Sequence, residues 1–490
     1  MGKTLNEAVE KKAVAEIVRH GDKLILPDKM KIPEAIDLLE RRQRYESEEV
    51  AIQETFLAFP WDGAYAMDQI LKEKFGWTPA EATYSFFGKN PPQMIQVEIG
   101  PNEVAAVPWG KFSLPGVNGE LFTGAQMKDG RICFHLTGKV KRDSEDTVRE
   151  FFAEIRSYLK KNSIYRGKAI KIRFRDDDGD ALEMPEPKFL DTSSIDPNNL
   201  IYAKDVQDSV ETNLFTPILR VHDCVANNIP IKRGVLLGGP YGTGKTLAAT
   251  VASKHAVDTG LTFIYVTRAD ELADAIGFAK LYGEPAAVLF CEDIDRAIYT
   301  DRTVKVDDIL NIIDGVDSKH LNLITVLTTN HLENINAAML RPGRLDAIIE
   351  VTPPDAAAAE RLLRFYGGKS IEADEDLTDA AVKLAGTIPA VIAEVVKRAK
   401  LAQLRLQAPG TKVTKLTGAA LDTAAFTMKT QNELLEKASR PKAEKPTLDQ
   451  AFGEVVAGAI QRGDTSVKLD LQNGSIGAIE GKGRVRRELQ

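Results

Sequence analysis

Cysteine is scarce in this sequence. Its three cysteines, Cys133, Cys224 and Cys291, lie far apart and without metal-ligand spacing. A disulfide framework or a cysteine-based metal site is therefore not expected. No apolar run approaches the roughly 18 residues that a membrane-spanning helix needs, and residues 1–6 lack the apolar core of a signal peptide. These absences predict a protein of the reducing cytoplasm with no membrane association.

Basic residues are also in short supply, with 64 Lys and Arg against 71 Asp and Glu, which gives a net charge of −7. This balance argues against a protein that coats nucleic acid over its whole surface, although a local basic surface remains open. Hydrophobic residues make up 43% and charged residues 28%, which is typical of a globular protein. A chain of 490 residues has room for two to four domains.

The spacing of apolar residues changes along the chain and predicts six segments. They are a helical N-terminal region (1–90), a small α+β module (91–183), a linker (184–199), an α/β core (200–354), a small helical lid (355–437) and a polar tail (438–490). In the core, five apolar runs alternate with helical stretches, which predicts a five-stranded parallel sheet with helices on both faces. We expect ligands at the carboxyl ends of those strands.

A glycine-rich stretch follows the first of the five runs and fits the phosphate-loop pattern G-x-x-x-x-G-K-[ST]. The predicted nucleotide-binding residues are Gly239, Pro240, Tyr241, Gly242, Thr243, Gly244, Lys245, Thr246 and Leu247. Glycines let backbone N–H groups converge on phosphate, and the positive end of the following helix favours the same anion. Lys245 is predicted to bind the β- and γ-phosphates of a nucleoside triphosphate, and the Thr246 hydroxyl to bind Mg²⁺. The alternative is an ordinary glycine-rich turn.

Polar residues end the later strands of the same predicted sheet. Glu292 and Asp293 follow an apolar run, Asn330 follows the next, and Arg341 and Arg344 flank a Pro-Gly turn beyond it. One carboxylate can orient Mg²⁺ through its waters while the next polarises the attacking water. The amide can hold that water, and the arginine forks suit phosphate. Taken singly, each could be a solvated turn or a surface ion pair.

The series as a whole resembles the AAA family of ATPases over roughly residues 200–405. That resemblance implies a homo-oligomeric ring, usually a hexamer, with ATP and Mg²⁺ at the subunit interfaces. It also implies that Asn330 is the first sensor and that Arg341 and Arg344 are fingers completing a neighbouring site. By position, Glu292 is the metal-side acid, acting through water, and Asp293 the water-polarising one.

The sequence departs from the family pattern at three places. The acids stand in the order Glu-Asp instead of Asp-Glu, as in the Bcs1-type branch, which we interpret as a working variant. Tyr241 replaces a proline. Protein-threading members carry an aromatic-hydrophobic-glycine triplet in their pore, where this chain has residues 275–277 followed by Phe278. Phe278 could be a displaced pore residue or a core aromatic.

The resemblance favours an ATP-driven motor that remodels or unfolds a protein partner, recognised by the N-terminal region. One alternative is a nucleic-acid-handling motor or loader, which the acidic net charge disfavours. Another is a scaffold that binds ATP and hydrolyses it slowly.

Overall fold

The computed structural model describes residues 18–20, 23–26, 30–77, 82–85, 88–294, 322–334, 345–410, 412–413 and 415–439. It also describes four short strands after residue 468, namely 469–470, 475–476, 479–480 and 483–484. Two compact units divide the chain. The first is Met1–Arg361 with Gly386–Pro389, and the second is Leu362–Ala385 with Ala390–Gln490. No helix in the described ranges is long and apolar enough to span a bilayer.

In its described residues up to Asn162, the N-terminal part of the first unit combines strands with three helices. The strands are β1 (Val18–His20), β2 (Lys23–Ile25), β3 (Glu49–Thr55), β4 (Thr83–Ser85), β5 (Gly88–Asn90), β6 (Met94–Gly100), β7 (Glu103–Pro108), β8 (Lys111–Phe112), β9 (Gly119–Lys128) and β10 (Arg131–Lys141). The helices are α1 (Ile32–Ser47), α2 (Pro60–Phe75) and α3 (Glu145–Asn162). Strands β1 to β5 thus lie inside the region, residues 1–90, that the sequence predicted as helical.

A four-stranded antiparallel sheet, β3-β10-β9-β8, organises this part. Helix α2 starts with a proline in its first turn and ends at Gly76, whose φ of 74° is left-handed, so both ends follow from the sequence. Helix α3 is amphipathic, with its apolar stripe buried. Between these helices, Asp62 accepts hydrogen bonds from Ser163 Oγ and the Ile164 N–H, and burial raises its pKa to about 6.

The α/β part contains a seven-stranded sheet in the order β12-β11-β14-β15-β16-β13-β17. Its strands are β11 (Ala169–Lys171), β12 (Lys188–Phe189), β13 (Arg233–Gly238), β14 (Thr262–Val266), β15 (Ala287–Cys291), β16 (Leu323–Thr329) and β17 (Ala347–Glu350). Its helices are α4 (Lys204–Val210), α5 (Thr216–Leu219), α6 (Val221–Ala226), α7 (Lys245–Asp258) and α8 (Leu272–Tyr282). The five predicted strands are confirmed as β13 to β17, and all pairings among them are parallel.

Two strands are added to the five that the sequence predicted. Strand β11 pairs parallel with β14, and β12 pairs antiparallel with β11 at the edge. The sequence pattern placed β11 in the N-terminal α+β module and β12 in the linker. Alternating apolar residues identify a strand but not the strand beside it, so the pattern could not assign these two to the sheet.

The sheet is buried on both faces, as its continuous apolar strands require. On one face, Val235, Phe263 and Val288 pack with helices α4 to α7. On the other, Leu236, Ile264 and Leu289 belong to a core that continues through α8 into the N-terminal sheet and helices. The N-terminal part and the α/β part therefore share one hydrophobic core.

The second unit is mainly helical in its described residues. Helices α9 (Ala356–Gly367), which begins in the first unit, α10 (Thr378–Leu384), α11 (Pro389–Leu404) and α12 (Gly418–Ser439) fall where the sequence predicted a lid. The final described elements are the short strands β18 (Leu469–Asp470), β19 (Ser475–Ile476), β20 (Ile479–Glu480) and β21 (Gly483–Arg484).

Candidate nucleotide-binding site

The predicted phosphate loop connects β13 to α7, and its glycines are demanded by geometry. Gly239, Gly242 and Gly244 have φ values of 142°, 76° and 101°, a region that residues with a Cβ rarely adopt. A Cβ on Gly239 would lie 2.4 Å from the Val351 carbonyl oxygen, and one on Gly244 would lie 3.3 Å from the Tyr202 ring. The loop therefore keeps a backbone-lined cradle that larger residues would distort.

Lys245 is buried at the centre of this cradle, with 7% of its surface exposed. Its Nζ donates to the carbonyl oxygens of Gly239 and Pro240, at 2.7 and 2.9 Å, and to Asn330 Oδ1 at 2.8 Å. The predicted phosphate-binding lysine and the predicted sensor amide are thus brought together from positions 85 residues apart.

The two acids point to different partners. Glu292 Oε1 accepts a hydrogen bond from Thr246 Oγ1 at 2.5 Å, while Asp293 Oδ1 accepts one from Asn330 Nδ2 at 2.9 Å. Asp293 has a left-handed φ of 46°, and its N–H donates to Thr328 Oγ1 at 2.9 Å, which holds the strained turn. Glu292 therefore lies with the predicted metal ligand, and Asp293 with the lysine and the amide.

The side chains and backbone groups of this site suit the cofactors that the sequence predicts. A hydroxyl and a carboxylate in contact are the hard oxygen ligands that Mg²⁺ prefers, used directly or through water. A glycine cradle with a buried ammonium, opening a helix of 14 residues, suits a polyphosphate. The residues present thus fit ATP with Mg²⁺.

The remaining predicted loop residues differ in exposure. Thr243 is buried and its Oγ1 donates to the Pro240 carbonyl oxygen at 3.0 Å, closing the turn. Tyr241 and Leu247 are 64% and 41% exposed, so neither side chain fills the cradle. Arg341 and Arg344 lie outside the described residues, and their finger role stays a prediction.

Two tyrosines that sequence reasoning missed also contact the site. Tyr202 Oη donates to the Gly244 carbonyl oxygen at 2.7 Å, and burial raises the pKa of this phenol, which keeps it a donor. Tyr265 Oη donates to Glu292 Oε2 at 2.6 Å. No motif marks either residue, because each contact depends on how separate segments meet in space.

The segment aligned with the pore triplet is buried helix. Residues 275–278 lie within α8, and Phe278 is 3% exposed. Its ring contacts those of Phe59, Tyr165 and Tyr282, with centroids 5.3, 5.7 and 4.9 Å away. Of the two interpretations of Phe278, the structure supports the core aromatic.

Comparison with known proteins places this site in a family. Residues 235–353 match the family described as "ATPase family associated with various cellular activities (AAA)". The chain carries an AAA ATPase domain. Its matched part runs from β13 to just beyond β17, and so includes the phosphate loop, both acids and Asn330.

Similar curated proteins come from bacteria and archaea. "ATP-dependent zinc metalloprotease FtsH" of Mycobacterium tuberculosis (strain ATCC 25618 / H37Rv) is 28% identical over 49% of this chain and 32% of its own length. FtsH of Ureaplasma parvum serovar 3 is 31% identical over 37% of this chain and 27% of its own length. "Proteasome-activating nucleotidase 2" of Halobacterium salinarum is 29% identical over 48% of this chain and 60% of its own length.

The AAA domain of this chain therefore matches only part of each relative. The name zinc metalloprotease describes FtsH. The sequence printed here contains no His-Glu-x-x-His, the usual zinc-binding pattern of metalloproteases.

Proposed function

We propose that this chain is an ATP-hydrolysing AAA motor of the cytoplasm that remodels or unfolds a protein partner. The observation that carries the proposal is the pair of contacts made by the acids, Glu292 with Thr246 and Asp293 with Asn330 and hence with Lys245. Glu292 and Thr246 can then hold Mg²⁺ while Asp293 accepts a proton, and both acids lie at the same phosphate cradle. The AAA relatives with ATP-dependent and proteasome-activating names favour a protein as the partner.

In this proposal each residue of the site has one task. Lys245 Nζ binds the phosphate oxygens in exchange for its present acceptors, and the loop N–H groups hold the remaining phosphate charge. Thr246 Oγ1 and Glu292 hold Mg²⁺, the acid through water, and the ion supplies charge neutralisation at the phosphates. Asn330 orients the Asp293 carboxylate, which takes the proton from the attacking water.

The N-terminal part is proposed to recognise the partner. It shares a hydrophobic core with the face of the sheet that α8 covers, so it is coupled to the nucleotide-binding part by packing. Because Phe278 is part of that core, the proposed motor does not grip its substrate with this aromatic side chain.

A protein substrate is expected to stimulate ATP hydrolysis more than nucleic acid does. The test compares the steady-state rate alone, with an unfolded protein, and with single- or double-stranded nucleic acid at several salt concentrations. Lys245→Met gives the background, because this change removes the ammonium from the cradle. Stimulation by nucleic acid with a steep salt dependence would favour the loader instead. A wild-type rate equal to that of Lys245→Met would favour the scaffold.

We also propose that ATP is bound between neighbouring copies in a hexameric ring, with Arg341 and Arg344 reaching the adjacent site. Arg344→Ala is then expected to keep ATP binding and lower hydrolysis by about 10³-fold, as loss of an arginine finger does. Arg149→Ala, which changes an exposed arginine on α3, is the matched control. Wild-type activity per chain should rise with protein concentration. An Arg344→Ala form with normal, concentration-independent activity contradicts the interface arrangement.

A further inference from the structure

The phenol of Tyr265 is hydrogen-bonded to Glu292, the metal-side acid. Its Oη lies 2.6 Å from Glu292 Oε2, and the other carboxylate oxygen of Glu292 takes the hydroxyl of Thr246. Both oxygens of the acid are therefore held, one by the predicted metal ligand and one by a residue from the neighbouring strand. The phenol O–H donates in this contact and the carboxylate oxygen accepts.

The tyrosine itself is fixed on several sides. It lies in β14, between β11 and β15, where it pairs with Lys171 and Phe290. The Lys171 ammonium lies 5.0 Å from the centroid of the tyrosine ring, and the Phe290 ring centroid lies 5.2 Å away. The phenol thus meets Glu292 from a rigid support to which the added strand β11 contributes.

The length of the acid explains why such support matters. A glutamate carries one more rotatable bond than an aspartate, so its carboxylate samples more positions about 1.5 Å further from the backbone. When Thr246 turns its oxygen toward the metal, its present bond to Glu292 is exchanged. The bond from Tyr265 is made to the other carboxylate oxygen, Oε2, and can persist through that change.

We propose that Tyr265 is a positioning residue that fixes Glu292 for Mg²⁺ binding and so allows glutamate to serve at the metal-side position. The proposal rests on the proposed nucleotide site. It assigns Tyr265 no contact with ATP, so its effect should fall on the metal requirement and leave nucleotide affinity unchanged. Outer hydrogen-bond partners of metal-binding groups commonly contribute 10–100-fold to metal affinity.

The test measures ATP binding by the full chain with calorimetry, in EDTA and across a Mg²⁺ series, without following hydrolysis. Tyr265→Phe is expected to bind ATP in EDTA as the wild type does, but to need about tenfold more Mg²⁺ for the metal-dependent gain in affinity. Tyr158→Phe, which removes the hydroxyl group of a half-buried tyrosine on α3, should match the wild type in both conditions.

A second arm uses Glu292→Asp, whose shorter side chain withdraws from the phenol. If the two residues act through their shared bond, the double variant Tyr265→Phe/Glu292→Asp should need little more Mg²⁺ than the more impaired single variant. If the double variant shows the product of the two single fold-increases in Mg²⁺ requirement, the coupling is contradicted.

The outcomes separate this inference from the proposed function. An unchanged Mg²⁺ requirement in Tyr265→Phe overturns the positioning role alone. A loss of ATP affinity that is as large in EDTA as in Mg²⁺ also overturns it, because such a loss indicates a merely structural role. A wild-type chain that binds no ATP in either condition overturns both proposals.

Discussion

Replacing Asp293 with asparagine is expected to lower the rate of ATP hydrolysis by about 10²–10⁴-fold, the usual contribution of a positioned general base. ATP binding should survive, because the amide keeps an oxygen that can accept the hydrogen bond from Asn330 Nδ2. Single-turnover hydrolysis and equilibrium ATP binding, measured on the same preparation, check the two halves of this expectation.

The control for this change is Asp37→Asn, which alters an exposed acid on α1 and should leave both measurements unchanged. Glu292→Gln offers a sharper contrast, because its defect should be relieved in part by added Mg²⁺ whereas that of Asp293→Asn should not. An Asp293→Asn form that hydrolyses ATP at the wild-type rate would mean that the roles of the two acids are assigned wrongly. The same variant, loaded with ATP, is the form with which to capture the protein partner.

Replacing Phe278 with alanine is expected to lower the free energy of unfolding by about 3–5 kcal/mol, which is the usual cost of removing a buried phenylalanine ring. The ring is 3% exposed and lies against three other aromatic rings, one from the residue before α2, one from the segment after α3 and one from α8 itself. Thermal and urea denaturation of the full chain measure the loss.

Phe426→Ala is the matched control, because that ring on α12 is 63% exposed and its removal opens no cavity. A pore aromatic would behave in the opposite way to the core aromatic described here. It would be dispensable for stability but needed for stimulation by an unfolded protein. A Phe278→Ala chain with wild-type stability and lost stimulation would therefore restore the threading interpretation.

The sequence was sufficient to predict the central sheet and the residues at its edge. Parallel strands covered on both faces appear as short apolar runs, so the five runs could be recognised as the strands β13 to β17. Because such strands end at the same edge, polar residues just beyond them, such as Asp293 and Asn330, could be expected to meet.

Other features depend on information that the residue pattern does not carry. The pairing of β11 with β14 and the bonds made by Tyr202 and Tyr265 arise from tertiary contacts. The helix at residues 275–278 could have been predicted, since Leu272, Ile276 and Ala279 have the spacing of one helical face.

The shared core between the N-terminal part and the α/β part bears on modularity. In a motor whose domains fold independently, the recognition domain can be exchanged without affecting the ATPase domain. Here a cut at residue 200 would remove β11 and β12 from the sheet and leave the edge of β14 and the apolar side of α8 open to water. On the proposed division of tasks, a change of partner specificity in the N-terminal part would therefore also have to preserve the fold of the ATPase part.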